Sequence, residues 1–346
     1  MLVLTFTPQN RNFTSSLVEL DSTDGKGYMM SSEELGVELS PRGVITLAFG
    51  KQRYVDMGKS LGRSLMLNAP NLPRAVVTNS DDPELKELFT HVIPYQPDFG
   101  SNVRQKLHLD LYSPFEETLF IDSDCLVLND LDSFWKAFSG QYFGVPGWRE
   151  LRKGSTDPYL DVAFILDHFG IEALPKFNGG TYYFRHCKRA THFFDRAREL
   201  LADSENLRFV QFRQDGPADE AILSVAMALE KLSATSMGTG GMWTPISSRG
   251  PLKLDVQHRF CSFEKEGQTV YPDIIHFAGE YASCFAYYRE SIKLMRRFGS
   301  KLPSLVEMGK TYIKSAIWEC SRSARNTAKR LVGARHSNSR AIVEPQ

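Results

Sequence analysis

Two carboxylates interrupt an otherwise apolar run, Leu119-Phe120-Ile121-Asp122-Ser123-Asp124-Cys125-Leu126-Val127-Leu128. The run has the length and composition of a buried strand. An unpaired carboxylate out of water is costly, so Asp at the end of such a strand has a partner or a purpose. In open α/β sheets, ligands bind in the crevice beyond the carboxyl ends of the strands. Asp122 and Asp124 would put two hard oxygen ligands there, suited to Mn²⁺ or Mg²⁺ and, through the metal, to phosphates. The plain reading of Asp-x-Asp is a solvated turn. The flanking strand and the other polar positions favour a metal–diphosphate site.

Four further places carry polar groups where chemistry could use them. Asn178-Gly179-Gly180 lets a backbone pass close to a ligand, with an amide for a sugar hydroxyl; by itself it is a tight turn. Asp219-Glu220 opens an apolar helix, so Asp219 either caps that helix or faces a reacting carbon. His276 follows an apolar strand; such a histidine is a satisfied core residue unless carboxylates nearby make it a metal ligand. Lys106, with Arg104 and Asn102, lies one helix before the Asp pair, where a lysine reaches a phosphate or solvates its helix.

The elements that must position these groups follow from periodicity. Strands are expected at residues 43–49, 73–78, 92–94 and 118–121, with helices at 54–68, 83–89 and 106–112 between them. That alternation predicts a mostly parallel sheet with helices on its faces. Further on, helices are expected at 131–138, 192–202 and 219–230. Strands are expected at 142–145, after Asn178-Gly179-Gly180, and at 274–279. Gly147-Trp148 reads as a turn, residues 149–175 as a mixed excursion facing substrate, and 236–252 as a long loop.

At 346 residues the chain can bury a large core, and its 42% hydrophobic content is ordinary for a globular protein. Its 41 basic and 41 acidic residues cancel, which argues against a nucleic-acid partner. The five cysteines are scattered, without zinc spacing, and fit a reducing, cytoplasmic setting. No secretory signal and no bilayer-spanning run is evident. Residues 1–42 read as an extension, 43–285 as the main domain and 286–346 as a helical basic tail. The tail either docks as an ordinary helix or rests as a basic amphipathic helix on the inner face of an anionic membrane.

The order of these pieces is the more specific signal: Ala48-Phe49-Gly50 with Tyr54, then Arg104 and Lys106-Leu107-His108, then the Asp pair, Phe177-Asn178-Gly179-Gly180, Asp219-Glu220 and His276-Phe277-Ala278-Gly279. Over residues 43–285 this resembles the glycogenin-like glycosyltransferases, family 8, of the GT-A fold. The resemblance implies a nucleotide-sugar donor, most often a UDP-sugar, with Mn²⁺ (or Mg²⁺) on its diphosphate. Asp122, Asp124 and His276 would hold the metal. Asp122 would also contact the ribose or sugar, and Ala48, Tyr54, Arg104, Ser123, Gly179 and Gly180 would line the donor. Lys106, Asn178 and Asp219 would contact the donor sugar, with Asp219 stabilising an oxocarbenium-like centre. The family retains anomeric configuration by front-face attack of the acceptor hydroxyl; the acceptor, whether carbohydrate, lipid-linked or protein, is not implied. The family's lysine shortly after His-x-x-Gly is missing here, leaving Arg289 or another loop to take its role.

Two other readings remain. Asp-x-Asp after an apolar strand also resembles the nucleophile motif of haloacid-dehalogenase-like phosphatases, although Leu126 replaces their usual Thr or Val and several strand–helix units precede the motif. A non-catalytic, carbohydrate-binding relative of the transferases is the third.

Overall fold

The computed structural model describes residues 2–4, 15–17, 39–211 and 216–340, with 323–340 described as backbone. Strands β1 (Leu2–Leu4) and β2 (Ser15–Leu17) pair antiparallel. The rest of the expected extension up to residue 38 lies outside the described residues.

The main sheet starts with β3 (Ser40–Leu47), followed by α1 (Gln52–Asn68), β4 (Arg74–Thr78), α2 (Pro83–Leu88) and β5 (His91–Pro94). A 3₁₀ segment over Asn102–His108 and the short α3 (Leu109–Tyr112) then lead into β6 (Phe115–Ile121). Strands β5, β4, β3 and β6 lie side by side and parallel. Every residue of β4 is buried, as expected of a parallel strand covered on both faces. Asp82 caps α2 by accepting from the Glu84 amide, and Pro83 fills the first helical position, where no backbone donor is needed.

Beyond β6 the chain forms β7 (Cys125–Val127), α4 (Asp132–Ala137), β8 (Phe143–Gly144) and β9 (Gly147–Leu151). Then come α5 (Val162–Phe169), β10 (Leu174–Phe177), β11 (Thr181–Arg185), α6 (Lys188–Ala202) and α7 (Asp219–Leu229). β11 and β8 complete the six-stranded sheet antiparallel to their neighbours. Next are β12 (Met242–Trp243), the meander β13 (Arg249–Asp255), β14 (Phe260–Lys265) and β15 (Gln268–Val270), then β16 (Ile274–His276). β12, β16 and β7 form a second, three-stranded sheet. Helices α8 (Phe285–Arg297) and α9 (Leu305–Arg340) close the chain.

Three expectations need correction. Gly147-Trp148 is not a turn but the start of β9, which pairs with β10 inside the supposed excursion. The expected loop at 236–252 holds β12 and the start of β13. Residues 106–112 are a 3₁₀ segment running into four α-helical residues rather than one helix. These strands are short, and β13 contains Gly250 and Pro251, so no apolar alternation marks them. Their pairing partners lie far away in sequence, and the pairing makes them strands.

Candidate functional site

The site forms where the two sheets meet. Asp122 follows the last residue of β6, and its amide donates to the Gly180 carbonyl at 3.0 Å. Asp124 precedes β7, and its carbonyl accepts from the Phe277 amide at 3.0 Å. The antiparallel register sets His276 opposite Cys125. Backbone pairing thus brings three groups together from positions 122, 124 and 276.

The His276 Nε2 lies 3.1 Å from Asp124 Oδ1 and 3.7 Å from Asp122 Oδ2. Its Nδ1 is 2.6 Å from Asn178 Oδ1, which also accepts from the Gly180 amide at 3.1 Å. The amide oxygen can only accept, so Nδ1 carries the proton and Nε2 is turned toward the carboxylates. Burial opposes the charged imidazole, yet Asp124 and Asp122 draw the His276 pKa above its ordinary value. Burial pushes Asp124 up, but His276 overcomes it and holds this carboxyl below the usual range. Asp122 is raised, by burial first and then by crowding from Asp124 and Asp219 against the pull of Lys106.

Lys106 is the other hub. Its ammonium donates to Asp122 Oδ2 at 2.8 Å and the Gly179 carbonyl at 3.1 Å, and lies 3.1 Å from Asp219 Oδ2. Burial would lower its pKa, but the two carboxylates more than offset this, so it stays charged. Asp219 sits at the first position of α7; the N-cap is Ala218 and no side chain caps the helix. Its carboxylate instead accepts from the buried Tyr182 hydroxyl. The capping reading of Asp219 therefore fails, because Tyr182 and Lys106 claim the side chain.

The glycines give up space to protein groups. A Cβ on Gly180 would run into the His276 ring, and one on Gly179 would stand 2.7 Å from the Tyr182 hydroxyl and 3.0 Å from Asp219 Oδ2. Glu220 holds this turn from outside, accepting from the Gly179 amide at 3.2 Å and pairing with Lys176, which also reaches Asp157 at 2.8 Å. Sequence reasoning missed Tyr182, Lys176 and Asp157. Tyr182 and Tyr183 are adjacent on β11, and only the strand's docking decides which hydroxyl meets Asp219. It also missed Cys125, whose thiol falls in one cluster with Asp124 and His276. Burial raises the Cys125 pKa well above the ordinary thiol value, so it remains a neutral thiol.

The remaining expected residues lie around this centre or apart from it. Ser123 is nearly buried between the two carboxylates. Ala48 is fully buried, and its carbonyl already accepts from Thr78 Oγ1 at 2.6 Å. Tyr54 is half-buried in the first turns of α1, with the Arg53 guanidinium over its ring. Arg104 is exposed, its side chain lying beside Gly216. Arg289, offered in place of the missing lysine, donates to Glu290 at 2.8 Å and to the Leu254 carbonyl at 2.6 Å, anchoring α8 to the meander.

Three carboxylates face one ammonium and one imidazole here, a donor set of oxygen plus neutral nitrogen that fits Mn²⁺ or Mg²⁺. The hydrogen bond from His276 to Asn178 is the kind of support that metal-bound histidines have.

No protein-family model and no curated protein sequence matches this chain. Among solved structures, the galactosyltransferase LgtC in complex with donor and acceptor sugar analogues superposes with a TM-score of 0.52, at 15% identity, over 78% of this chain and 99% of that one. An active-site mutant of LgtC gives 0.50 at 14% identity, over 76% and 98%. The fold is that of the GT-A glycosyltransferases. In this fold Asp122-Ser123-Asp124 follows the fourth parallel strand in chain order, not the first strand that the phosphatase reading requires. Among the described residues no helix is long and apolar enough to cross a membrane.

Proposed function

We propose that this protein is a metal-dependent glycosyltransferase that moves a sugar from a UDP-sugar to a hydroxyl acceptor with retention of configuration. The observation that carries the reading is the convergence of Asp124, His276 and Asp122 at the seam of the two sheets, with Lys106 and Asp219 directly behind. Asp122, Asp124 and His276 would hold Mn²⁺ or Mg²⁺. When bound, that cation neutralises charge on the leaving diphosphate.

The chain's own residues do the rest. Asn178 fixes the His276 tautomer. Lys106 bridges Asp122 and Asp219, and Tyr182 orients Asp219. Asp219 then presents negative charge to a sugar carbon that becomes oxocarbenium-like. Retention follows if the acceptor hydroxyl attacks the face the diphosphate leaves, giving its proton to that diphosphate; positioning of the hydroxyl supplies most of the remaining gain. Ala48, Tyr54 and Arg104 would border the nucleotide.

Calorimetry of UDP and UDP-sugars with and without Mn²⁺, in wild type and Asp124→Ala, tests this. Expected is micromolar binding that needs the metal and is lost in the variant. UDP binding in neither condition sinks the reading.

Helix α9 supports one further partner. Its inner side docks on the core: Trp318 packs on Tyr281 at 5.1 Å between centroids, and Ser315 donates to the Ser283 carbonyl. Its outer side exposes Leu305, Val306, Ile313 and Ile317. With Lys310 and Lys314 in the same turns, that side suits peripheral contact with an anionic, cytoplasm-facing membrane surface. Sedimentation with phosphatidylserine vesicles but not phosphatidylcholine vesicles would support it, and equal behaviour with both would reject it.

A further inference from the structure

Trp148 is one of the few large apolar side chains left in the open, 46% exposed. Three observations tie it to the site. First, β10 pairs Phe177 with Gly147 and Lys176 with Arg149, so Trp148 is the unpaired residue of a β-bulge. A bulge re-aims one side chain, and bulges gather beside active sites. Here the bulge lies opposite Phe177, the residue before Asn178. Second, the exposed indole packs on Trp243, with ring centroids 4.5 Å apart. Trp243 is buried, its indole nitrogen donates to the Gly240 carbonyl at 2.7 Å, and it pairs with Ile275, the residue before His276. The exposed ring therefore rests on a fixed one: its bulge lies opposite the residue before Asn178, and the ring beneath it belongs to a residue paired with the one before His276. Third, a cleft of about 200 Å³ opens beside it, lined also by Glu150, Pro175 and Ser233.

The surrounding contacts hold this wall still. Arg149 pairs with Glu266 of the β14–β15 turn at 2.8 Å, and Lys265 donates to the carbonyls of Thr244 and Ile246 at 3.0 and 2.5 Å. A rigid aromatic face flanked by a carboxylate and a hydroxyl is chemically matched to a pyranose ring. Such a ring has one apolar C–H face and a rim of hydroxyls.

Resting on the glycosyltransferase reading above, we infer that Trp148 is the stacking platform for the acceptor, and that the acceptor is a pyranoside. The indole holds the acceptor ring, with Ser233 and Glu150 as partners for its hydroxyls. It takes no part in holding the nucleotide.

The test uses the full chain loaded with Mg²⁺ and UDP, in wild type, Trp148→Ala and Trp148→Phe. The probes are the methyl pyranosides of galactose, glucose and N-acetylglucosamine, and lactose. Saturation-transfer NMR reads the sugars, and calorimetry reads UDP. The expected result is saturation of at least one sugar's ring protons by wild type. That binding should weaken by about tenfold or more in Trp148→Ala and be largely restored in Trp148→Phe, with UDP affinity the same in all three. Binding of no probe by wild type, or equal binding by Trp148→Ala, overturns the inference. Loss of UDP affinity in Trp148→Ala overturns it too, by assigning the indole to the nucleotide base. UDP failing to bind wild type would instead remove the donor site itself, and the acceptor inference with it.

Discussion

The two sheets that meet at Asp122-Ser123-Asp124 are built on opposite plans. In the first, β5, β4, β3 and β6 are parallel, joined by helices, and come from one continuous stretch, residues 40–121. In the second, β7, β12 and β16 have two or three residues each and come from positions 125–127, 242–243 and 274–276. The first sheet can form from neighbouring units and delivers Asp122. The second exists only once distant segments have docked, and it delivers His276 and fixes Asp124. Helix α1 joins the two. Asn68 donates to the Val127 carbonyl at 2.8 Å, and Ser64 accepts from the Val127 amide at 3.0 Å. The proposed metal site would span this seam, so cation binding would depend on correct assembly and would in turn stabilise the assembled state.

The largest effects should come from removing the two proposed ligands that the second sheet positions. Asp124→Ala and His276→Ala should each reduce transfer by about a thousandfold or more, as for groups that act as a unit. Initial rates with a UDP-sugar check this; a His276→Ala enzyme near wild-type rate would show that β16 supplies no ligand. Next comes Lys106→Met, which leaves Asp122 and Asp219 buried without their cation. A loss of about 3–5 kcal/mol in urea unfolding is expected, and an unchanged midpoint would show that those carboxylates lose their charge at little cost.

Asn178→Ala removes the acceptor that orients His276 and should weaken Mn²⁺ affinity by about 10–100-fold. Metal titration followed by calorimetry decides this, and undiminished affinity would mean that the strand alone orients the ring. Asn68→Ala breaks the tie between α1 and β7 and should cost about 1–3 kcal/mol. Hydrogen exchange should show the loss concentrated in β7 and β16; uniform loss over both sheets would erase the distinction between them.

The smallest effect belongs to the first sheet alone. Burial pushes Asp82 up, but Lys59 and the Glu84 amide outweigh it and hold its carboxyl below the ordinary value. Its contribution is therefore complete above the unfolded-state pKa and disappears as pH falls through the lower folded value. Asp82→Ala should cost about 1 kcal/mol at neutral pH and nothing once the carboxyl is protonated. Melting curves at neutral and strongly acidic pH compare the two; an equal deficit at both would assign the loss to packing.

The contrast between the sheets also explains what could be read in advance. Val44, Ile45, Ala75, Val76 and Val77 form short unbroken apolar runs separated by helical patterns, the arrangement that reads as buried parallel strands. Hence the order of strands and helices up to Asp122 was legible, and the aspartates stood out as candidates, because a carboxylate at the end of an apolar strand is costly unless used. Met242-Trp243 and Arg249–Asp255 carry no such pattern, so β12 and the meander were not.

By itself, the sequence determined which groups are available for chemistry: the two aspartates, the histidine, the lysine and the Asn-Gly-Gly turn, each conspicuous for its cost or its rarity in place. It also determined the α/β class, through local periodicity. Only the tertiary structure decided that Tyr182 rather than Tyr183 meets Asp219 and that Arg289 is spent on Glu290 and Leu254. It likewise decided that Gly180 makes room for His276 and Gly179 for Tyr182 and Asp219, and that Trp148 is turned out by a bulge. The strand outcomes depend on register between segments remote in the chain, where a shift of one residue would send a side chain to the opposite face; Arg289 is set by how α8 docks on the meander.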